Sequence, residues 1–200
     1  LHRRPRPPVD VTVAAADAAS VRRAAEVLSK ADRPLVIAGG GAVDAQAEVT
    51  ALTERLGAPV ATTVNGKGVV AESHPLSVGA SIRLPALQGA AADSDGLLLI
   101  GTELGDSDLW GGQIRGRTVI RCDIDAAQLH KNCPADHVLL GDARATVRAK
   151  RLEERAAKEE RMLRTASRST VALTTSTSRR LNCEPWASTS PLSTMHAHPS

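Results

Sequence analysis

The sequence is nearly without aromatic side chains: it has no Phe, no Tyr and only two Trp among its 200 residues. A core must therefore be built from Ala, Val, Leu and Ile, which pack well between helices and a buried parallel sheet. The same lack argues against nucleic-acid binding, because proteins that hold single strands stack the bases on aromatic rings. A net charge of +3 does not change this interpretation, since much of the excess lies near the two ends of the chain.

Cysteines, long apolar runs and signal-like segments are scarce as well. Cys122, Cys133 and Cys183 are widely spaced and form no Cys-x-x-Cys pair, so neither a zinc site nor a disulfide framework is indicated. No run approaches the ~18 apolar residues of a membrane-spanning helix. The basic, Pro-rich beginning lacks the apolar segment of a secretion signal. We therefore expect a cytoplasmic protein with no membrane partner.

The middle of the chain alternates between apolar strands and segments with helical spacing. Helices are predicted over 18–31, 44–56, 85–92 and 142–163, and strands over 35–38, 59–62, 97–100, 118–122 and 138–140. Such alternation favours a parallel sheet with crossover helices. The expected fold is α/β, a Rossmann-like open parallel sheet of five to six strands with helices on both faces.

Three glycines follow the first predicted strand, where an open α/β sheet binds its ligands. Gly39, Gly40 and Gly41 precede a helix, so their N–H groups can meet a phosphate there. However, Asp44 stands where the dinucleotide fingerprint needs a third Gly, and its charge would repel a phosphate. Two interpretations stay open at this point: a tight turn without a ligand, or a site for the tail of a nucleotide or flavin.

Six further candidate cofactor-binding residues follow the third and fourth strands. They are Gly101, Thr102, Gly105, Asp123, Ile124 and Asp125. Either aspartate can accept hydrogen bonds from a ribose or an adenine-bearing cofactor, or it can cap the short turn that follows. The small residues would line the same crevice, because a ligand that crosses a sheet edge needs room. No nucleophilic triad, paired-carboxylate site or metal site is indicated, so no catalytic residue and no metal ligand are predicted.

A series of short motifs runs through residues 32–147. They are RPLVIAGGGA (33–42), LGAPV (56–60), GKG (66–68), HPL (74–76), GTELGD (101–106), DID (123–125), KN (131–132) and GDA (141–143). Their order and spacing resemble the central domain of thiamine-diphosphate-dependent enzymes of the acetolactate synthase and 2-oxoacid decarboxylase superfamily. The resemblance implies a Rossmann-like domain between two thiamine-binding domains, in an enzyme that is a homo-oligomer when complete.

The resemblance also implies thiamine diphosphate and Mg²⁺ as cofactors of the parent enzyme. Their Gly-Asp-Gly motif is absent from this sequence, so the chain is expected to hold no ligands for them. The implied function is that of the non-catalytic central domain of a decarboxylase or an acetolactate-synthase-like enzyme, present as an incomplete chain. The alternatives are a free-standing adenine-nucleotide or flavin-binding module, with ADP or FAD as its ligand, and a purely structural interdomain module.

Three regions are predicted along the chain. Residues 1–16 are expected to be a linker from a missing N-terminal domain, and residues 17–164 are expected to be the thiamine-enzyme central domain. Residues 165–200 are rich in Ser and Thr, lose hydrophobic periodicity and are expected to be a disordered tail. Our hypothesis is that the reading frame is lost near residue 165, or that the gene is degenerate. An alternative frame that encodes no Gly-Asp-Gly domain would refute the frameshift.

Overall fold

The computed structural model describes residues 13–148 of the chain. The helices are α1 (Ala18–Leu28), α2 (Gln46–Leu56), α3 (Pro85–Asp93), α4 (Asp106–Leu109) and α5 (Ala143–Val147), and the strands are β1 (Pro34–Ala38), β2 (Val60–Thr62), β3 (Gly96–Ile100), β4 (Val119–Asp123) and β5 (His137–Leu140). Two 3-10 helices cover Gly40–Ala45 and Ala126–Gln128. The predicted tail and most of the predicted linker lie outside the described residues.

The five strands form one parallel sheet in the order β2-β1-β3-β4-β5. A further segment, 76–79, lies along β2 and forms an isolated parallel bridge with it. The N–H groups of Val60 and Thr62 donate to carbonyls of this segment at 2.8 and 2.9 Å. The predicted α/β fold with a parallel sheet is confirmed, and segment 76–79 takes the place of a short sixth strand at the edge.

Helices cover both faces of the sheet. One face is packed by α1, α2 and α5, and the other by α3 and α4. Aliphatic side chains from the helices, strands and loops fill both layers; examples are Val21, Leu28, Val49, Leu52 and Val147 on the first face and Leu87, Ala91, Leu104 and Leu109 on the second. Every residue of β3, the central strand, is buried. Among the described residues, no helix is long and apolar enough to cross a membrane.

Three helix boundaries follow from capping residues. The Asp17 carboxylate accepts from the N–H groups of the first turn of α1 at 3.0 and 3.1 Å, as a good N-cap does. Gly57 ends α2 in the left-handed conformation with φ +60°, which costs glycine little. Asp142 caps α5 through the N–H of Ala145 at 2.8 Å. The predicted continuation of this helix to Leu163 lies outside the described residues.

One predicted helix start is wrong. The sequence predicts a helix over 44–56 capped by Asp44, but α2 begins at Gln46 without a side-chain cap. The chain instead winds as a 3-10 helix through Gly40–Ala45. The N–H of Ala42 already donates to the carbonyl of Gly39 at 3.0 Å, so the glycine turn passes directly into a tight helix and leaves no cap position at residue 44.

Candidate functional site

A cleft of about 360 Å³ opens at the carboxyl ends of β3, β4 and β5. Five of the nine residues predicted to bind a cofactor line it: Gly41, Gly101, Thr102, Asp123 and Ile124. The carboxyl ends of neighbouring parallel strands meet at one edge of a sheet, which explains why these separate motifs converge. Their role in binding stays a prediction.

The cleft has five further lining residues that were not predicted as site residues. They are Glu103, Cys122, Gly141, Asp142 and Ala143. The motif GDA was recognised in the sequence, and its position directly after the last strand is a signal that could have placed it at the cleft. Cys122 gives no such signal, because a small apolar side chain inside a strand is typical of a core.

The other four predicted residues lie outside the cleft lining. Gly105 precedes the first turn of α4, and Asp125 caps the second 3-10 helix by accepting from the N–H of Ala127 at 2.9 Å. Gly39 packs against the loop after β3, and Gly40 faces the loop after β2. The capping alternative that the sequence left open for the aspartates therefore describes Asp125, whereas Asp123 lines the cleft.

Glycines bring the loops after β1 and β3 into main-chain contact. A Cβ atom at Gly39 would lie 2.3 Å from the carbonyl oxygen of Gly101, and a Cβ at Gly101 would lie 2.6 Å from the main chain of Gly41. Real Cβ atoms do not come this close to main-chain atoms, so only glycine fits. Gly101 also has φ +57°, a conformation that costs other residues energy.

Hydrogen bonds to the end of β3 and the loop after it use two of the N–H groups that a phosphate would need. The N–H of Gly39 donates to the carbonyl of Ile100 at 2.8 Å, and that of Gly41 donates to Gly101 at 3.0 Å. Both groups are therefore satisfied by main-chain carbonyls rather than directed at a ligand. Of the two interpretations of the glycine turn, this bonding favours the one without a phosphate.

Hydrogen bonds and an ion pair connect segment 131–133 to the loop after β3, which forms one wall of the cleft. The side-chain amide of Asn132 donates to the carbonyls of Glu103 and Leu104 at 3.0 and 2.9 Å. Lys131 forms an ion pair with the Glu103 carboxylate. Leu104 is fully buried at φ +51°, a strained conformation for a side chain of this size, and the amide of Asn132 helps to hold it. The motifs GTELGD and KN thus meet in space.

Arg121 supports the same wall from inside the sheet. It lies on β4 and is only 1 % exposed. Its guanidinium donates to three main-chain carbonyls, those of Thr102, Lys131 and Cys133, which gives a buried cation the hydrogen bonds it needs. Burial lowers the pKa of the Arg121 guanidinium from its usual value. Sequence reasoning missed this residue, because the acceptors come from loops that are distant along the chain.

The two described cysteines are unsuited to nucleophilic chemistry. Burial raises the pKa of the Cys122 thiol to about 12, and burial also raises the pKa of the Cys133 thiol. The thiolate is the reactive form of cysteine, so both side chains stay protonated near neutral pH. Among residues 13–148 there is also no cluster of three or more His, Cys, Asp or Glu side chains that could hold a metal ion.

The profile of the thiamine pyrophosphate enzyme central domain matches residues 21–150 of the sequence. The chain belongs to this family. A relative from Pseudomonas aeruginosa, named "Probable 2-ketoarginine decarboxylase AruI", is 41% identical over 131 residues, which are 65% of this chain and 23% of the relative. The "Probable acetolactate synthase large subunit" of Methanocaldococcus jannaschii is 35% identical over 136 residues, 64% of this chain and 23% of that protein.

A solved structure agrees with the fold of this central domain. Benzoylformate decarboxylase from Polynucleobacter necessarius superposes with a TM-score of 0.59 at 22% sequence identity, over 75% of this chain and 30% of that one. At this identity the likeness shows the fold alone. The chain spans about a quarter of the length of the curated relatives it matches.

Thiamine diphosphate is the cofactor that the family name implies for the complete enzymes. The cleft does not fit its diphosphate, because the described residues that line it contribute three carboxylates and neither a lysine nor an arginine. The cleft at the carboxyl ends of the strands is lined by three carboxylates, the side chains of Thr102, Cys122, Ile124 and Ala143, and three glycines. The carboxylates can accept hydrogen bonds from hydroxyl or amino groups, and the Cys122 thiol stays protonated near neutral pH.

Proposed function

We propose that this chain supplies the central domain of a multi-domain thiamine-diphosphate-dependent enzyme that decarboxylates or condenses a 2-oxoacid. The observation that carries the proposal is the family match over residues 21–150, together with relatives whose names state decarboxylase and acetolactate synthase activities. In such enzymes thiamine diphosphate stabilises the carbanion, and the protein binds and orients the reactants. The described residues of this chain serve as a rigid framework rather than as catalytic groups.

Exposed apolar side chains near α4 support a contact with neighbouring domains. Trp110 is 71% exposed, and the guanidinium of Arg83 lies 4.6 Å from its ring centre. Leu84 and Val64 are also exposed, and the N–H of Val64 donates to a carboxylate of α4. Such side chains on a domain surface are typical of an interface. We expect the isolated chain to self-associate, and a monomer in sedimentation would count against this interface.

A domain exchange with the Pseudomonas relative tests the proposal. Residues 17–164 of this chain would replace the matching part of that protein, and the chimaera would be assayed for decarboxylation of the substrate that the relative's name states. We expect activity above that of a matched control in which the central domain is deleted. A chimaera that folds and binds thiamine diphosphate but shows no turnover above the deletion control would contradict the proposal.

A second candidate function is binding of an adenosine-bearing ligand, such as ADP or FAD, in the cleft. The observation that favours it is that a carboxylate and an apolar side chain line the cleft next to each other in the sequence. They are Asp123 and Ile124, and Ile124 is 65% exposed. A ligand that binds only the native state raises its melting temperature. A rise of several degrees with an adenosine compound would support this candidate, whereas an unchanged melting temperature would leave a purely structural module.

A further inference from the structure

We infer that a second pocket, on the face of the sheet that α3 and α4 cover, binds a small zwitterion with an aliphatic body, such as an aliphatic amino acid. The pocket has a volume of about 580 Å³, which is within the size range of ligand pockets. It lies between residues 112–117, which lead into β4, and residues 132–136, which lead into β5. Among the described residues, it shares none of its lining with the cleft at the carboxyl ends of the strands. The inference therefore depends on neither function proposed above.

Part of the lining of this pocket is apolar. Leu109, Ile114 and Val119 line it, and all three are buried in the core on this face of the sheet. An aliphatic ligand body that packs against them leaves water, which favours binding. A ligand that is polar throughout would gain nothing from this part of the lining.

Side chains of both charges also line this pocket. They are Arg115, Arg117, Asp106 and Asp136. Within the part of the chain that the structure describes, none of these four takes part in an ion pair. The guanidinium of Arg115 donates to the side-chain oxygen of Gln113. One oxygen of Asp136 accepts from the N–H of Val119 at 2.8 Å. Charges of both signs are therefore left for a ligand.

The charges of Arg115 and Asp136 act on one point of the pocket, the thiol of Cys133. This side chain lines the pocket and is buried. Burial raises the pKa of the Cys133 thiol; of the two charged side chains, Asp136 raises this pKa further and Arg115 lowers it. Interactions between charges weaken with distance, so a positive and a negative group flank the same thiol. A carboxylate and an ammonium on one small ligand can meet them together.

A buried main-chain donor of the same loop lacks a partner. Ile114 is only 1% exposed, and among the described residues its N–H donates to no carbonyl. A buried N–H group without a hydrogen bond costs free energy. The ligand carboxylate accepts from this N–H and from the neighbouring guanidinium of Arg115, whose forked donors match a carboxylate. The ammonium of the ligand then donates to Asp136.

Titration calorimetry of the 200-residue chain tests the inference with three compounds that share one aliphatic body. L-Leucine carries both charges, 4-methylpentanoate lacks the ammonium, and 3-methylbutylamine lacks the carboxylate. We expect L-leucine to bind at least about tenfold more tightly than either analogue, because each analogue loses the charge-assisted hydrogen bonds of one end. Equal or tighter binding of either analogue would overturn the inference.

Two variants each remove one charge from the pocket. R115Q should abolish the advantage of leucine over 3-methylbutylamine, because it removes the partner of the carboxylate. D136N should abolish the advantage over 4-methylpentanoate, and its amide still offers an oxygen to the N–H of Val119. The matched controls are K30Q and D93N, which neutralise exposed charges outside the pocket and should change the affinity for leucine by less than about twofold. Leucine binding that neither R115Q nor D136N weakens would contradict the inference.

The thiol of Cys133 reports whether the ligand occupies this pocket. Leucine should slow the reaction of Cys133 with a thiol reagent, and peptide mass spectrometry separates this reaction from those of Cys122 and Cys183. Leucine binding that leaves the rate at Cys133 unchanged would place the ligand elsewhere and overturn the inference. If none of the three compounds binds, the inference fails, while the proposed central-domain function, which the domain exchange tests by turnover, is unaffected.

Discussion

Replacing Gly101 by Ala tests the main-chain contact between the loops after β1 and β3. Gly101 has φ +57°, where an added Cβ costs about 1–2 kcal/mol. The new atom would lie 2.6 Å from the main chain of Gly41, so the loops must separate. That separation weakens the hydrogen bond from the N–H of Gly41 to Gly101, 3.0 Å long and worth about 1 kcal/mol. We expect the free energy of unfolding to fall by about 3 kcal/mol.

Two other glycines provide matched controls for this substitution. Gly57 has φ +60° but no atom within 4 Å of an added Cβ, so Gly57→Ala should cost only the conformational part, about 1–2 kcal/mol. Gly89 lies inside α3 and also has open space around it. Gly89→Ala should therefore stabilise the protein by about 0.5–1 kcal/mol, because Ala is the better helix former.

Urea unfolding followed by far-UV circular dichroism measures all three variants. The midpoint should shift in the predicted order while the slope stays constant, which marks a change in stability alone. If Gly101→Ala is no more destabilising than Gly57→Ala, the two loops are not in close contact. The reasoning that these glycines serve packing would then be refuted, and the phosphate-binding interpretation of the glycine turn would return.

Two further predictions concern buried charges. Arg121→Met leaves three buried carbonyls without their donor and should lower the free energy of unfolding by about 3 kcal/mol or more. It should also speed the reaction of Cys133 with a thiol reagent. An unchanged reaction rate would contradict the conclusion that Arg121 supports this wall of the cleft. For Glu48, burial opposes ionisation, but hydrogen bonds and the charges of Arg144 and Arg148 outweigh it and lower the pKa below its ordinary value of 4.5. The resulting stability is present above pH 4.5 and is lost as pH falls through the lower folded-state value. Glu48→Gln should therefore flatten the loss of stability in acid, and an unchanged slope in urea unfolding at acidic pH would refute this.

The strands were predictable because apolar runs are bounded by Gly and Pro. The run predicted over 97–100 became Gly96–Ile100, and that over 35–38 became Pro34–Ala38. Fully apolar strands are typical of a parallel sheet buried on both faces, so the fold class followed from them. Segment 76–79 was not predicted as a strand, because it pairs with β2 over only a few residues and its sequence shows no hydrophobic periodicity.

The candidate site was predictable only in part. Motifs that follow strands must gather at the carboxyl edge of the sheet, which is why Asp123 and Gly101 line one cleft. Sequence spacing could not show that Gly39 packs against Gly101 instead of facing a ligand. It also could not show that the charge of Arg121 is buried, because its acceptors are main-chain carbonyls of loops placed by the tertiary fold.

The most direct test of the account is a calorimetric titration of the 200-residue chain with thiamine diphosphate and Mg²⁺, followed by an assay of the mixture with a panel of 2-oxoacids. Because we propose that the thiamine chemistry belongs to other domains of a parent enzyme, we expect no saturable binding and no release of carbon dioxide. Saturable, Mg²⁺-dependent binding or measurable turnover by this chain alone would contradict that proposal.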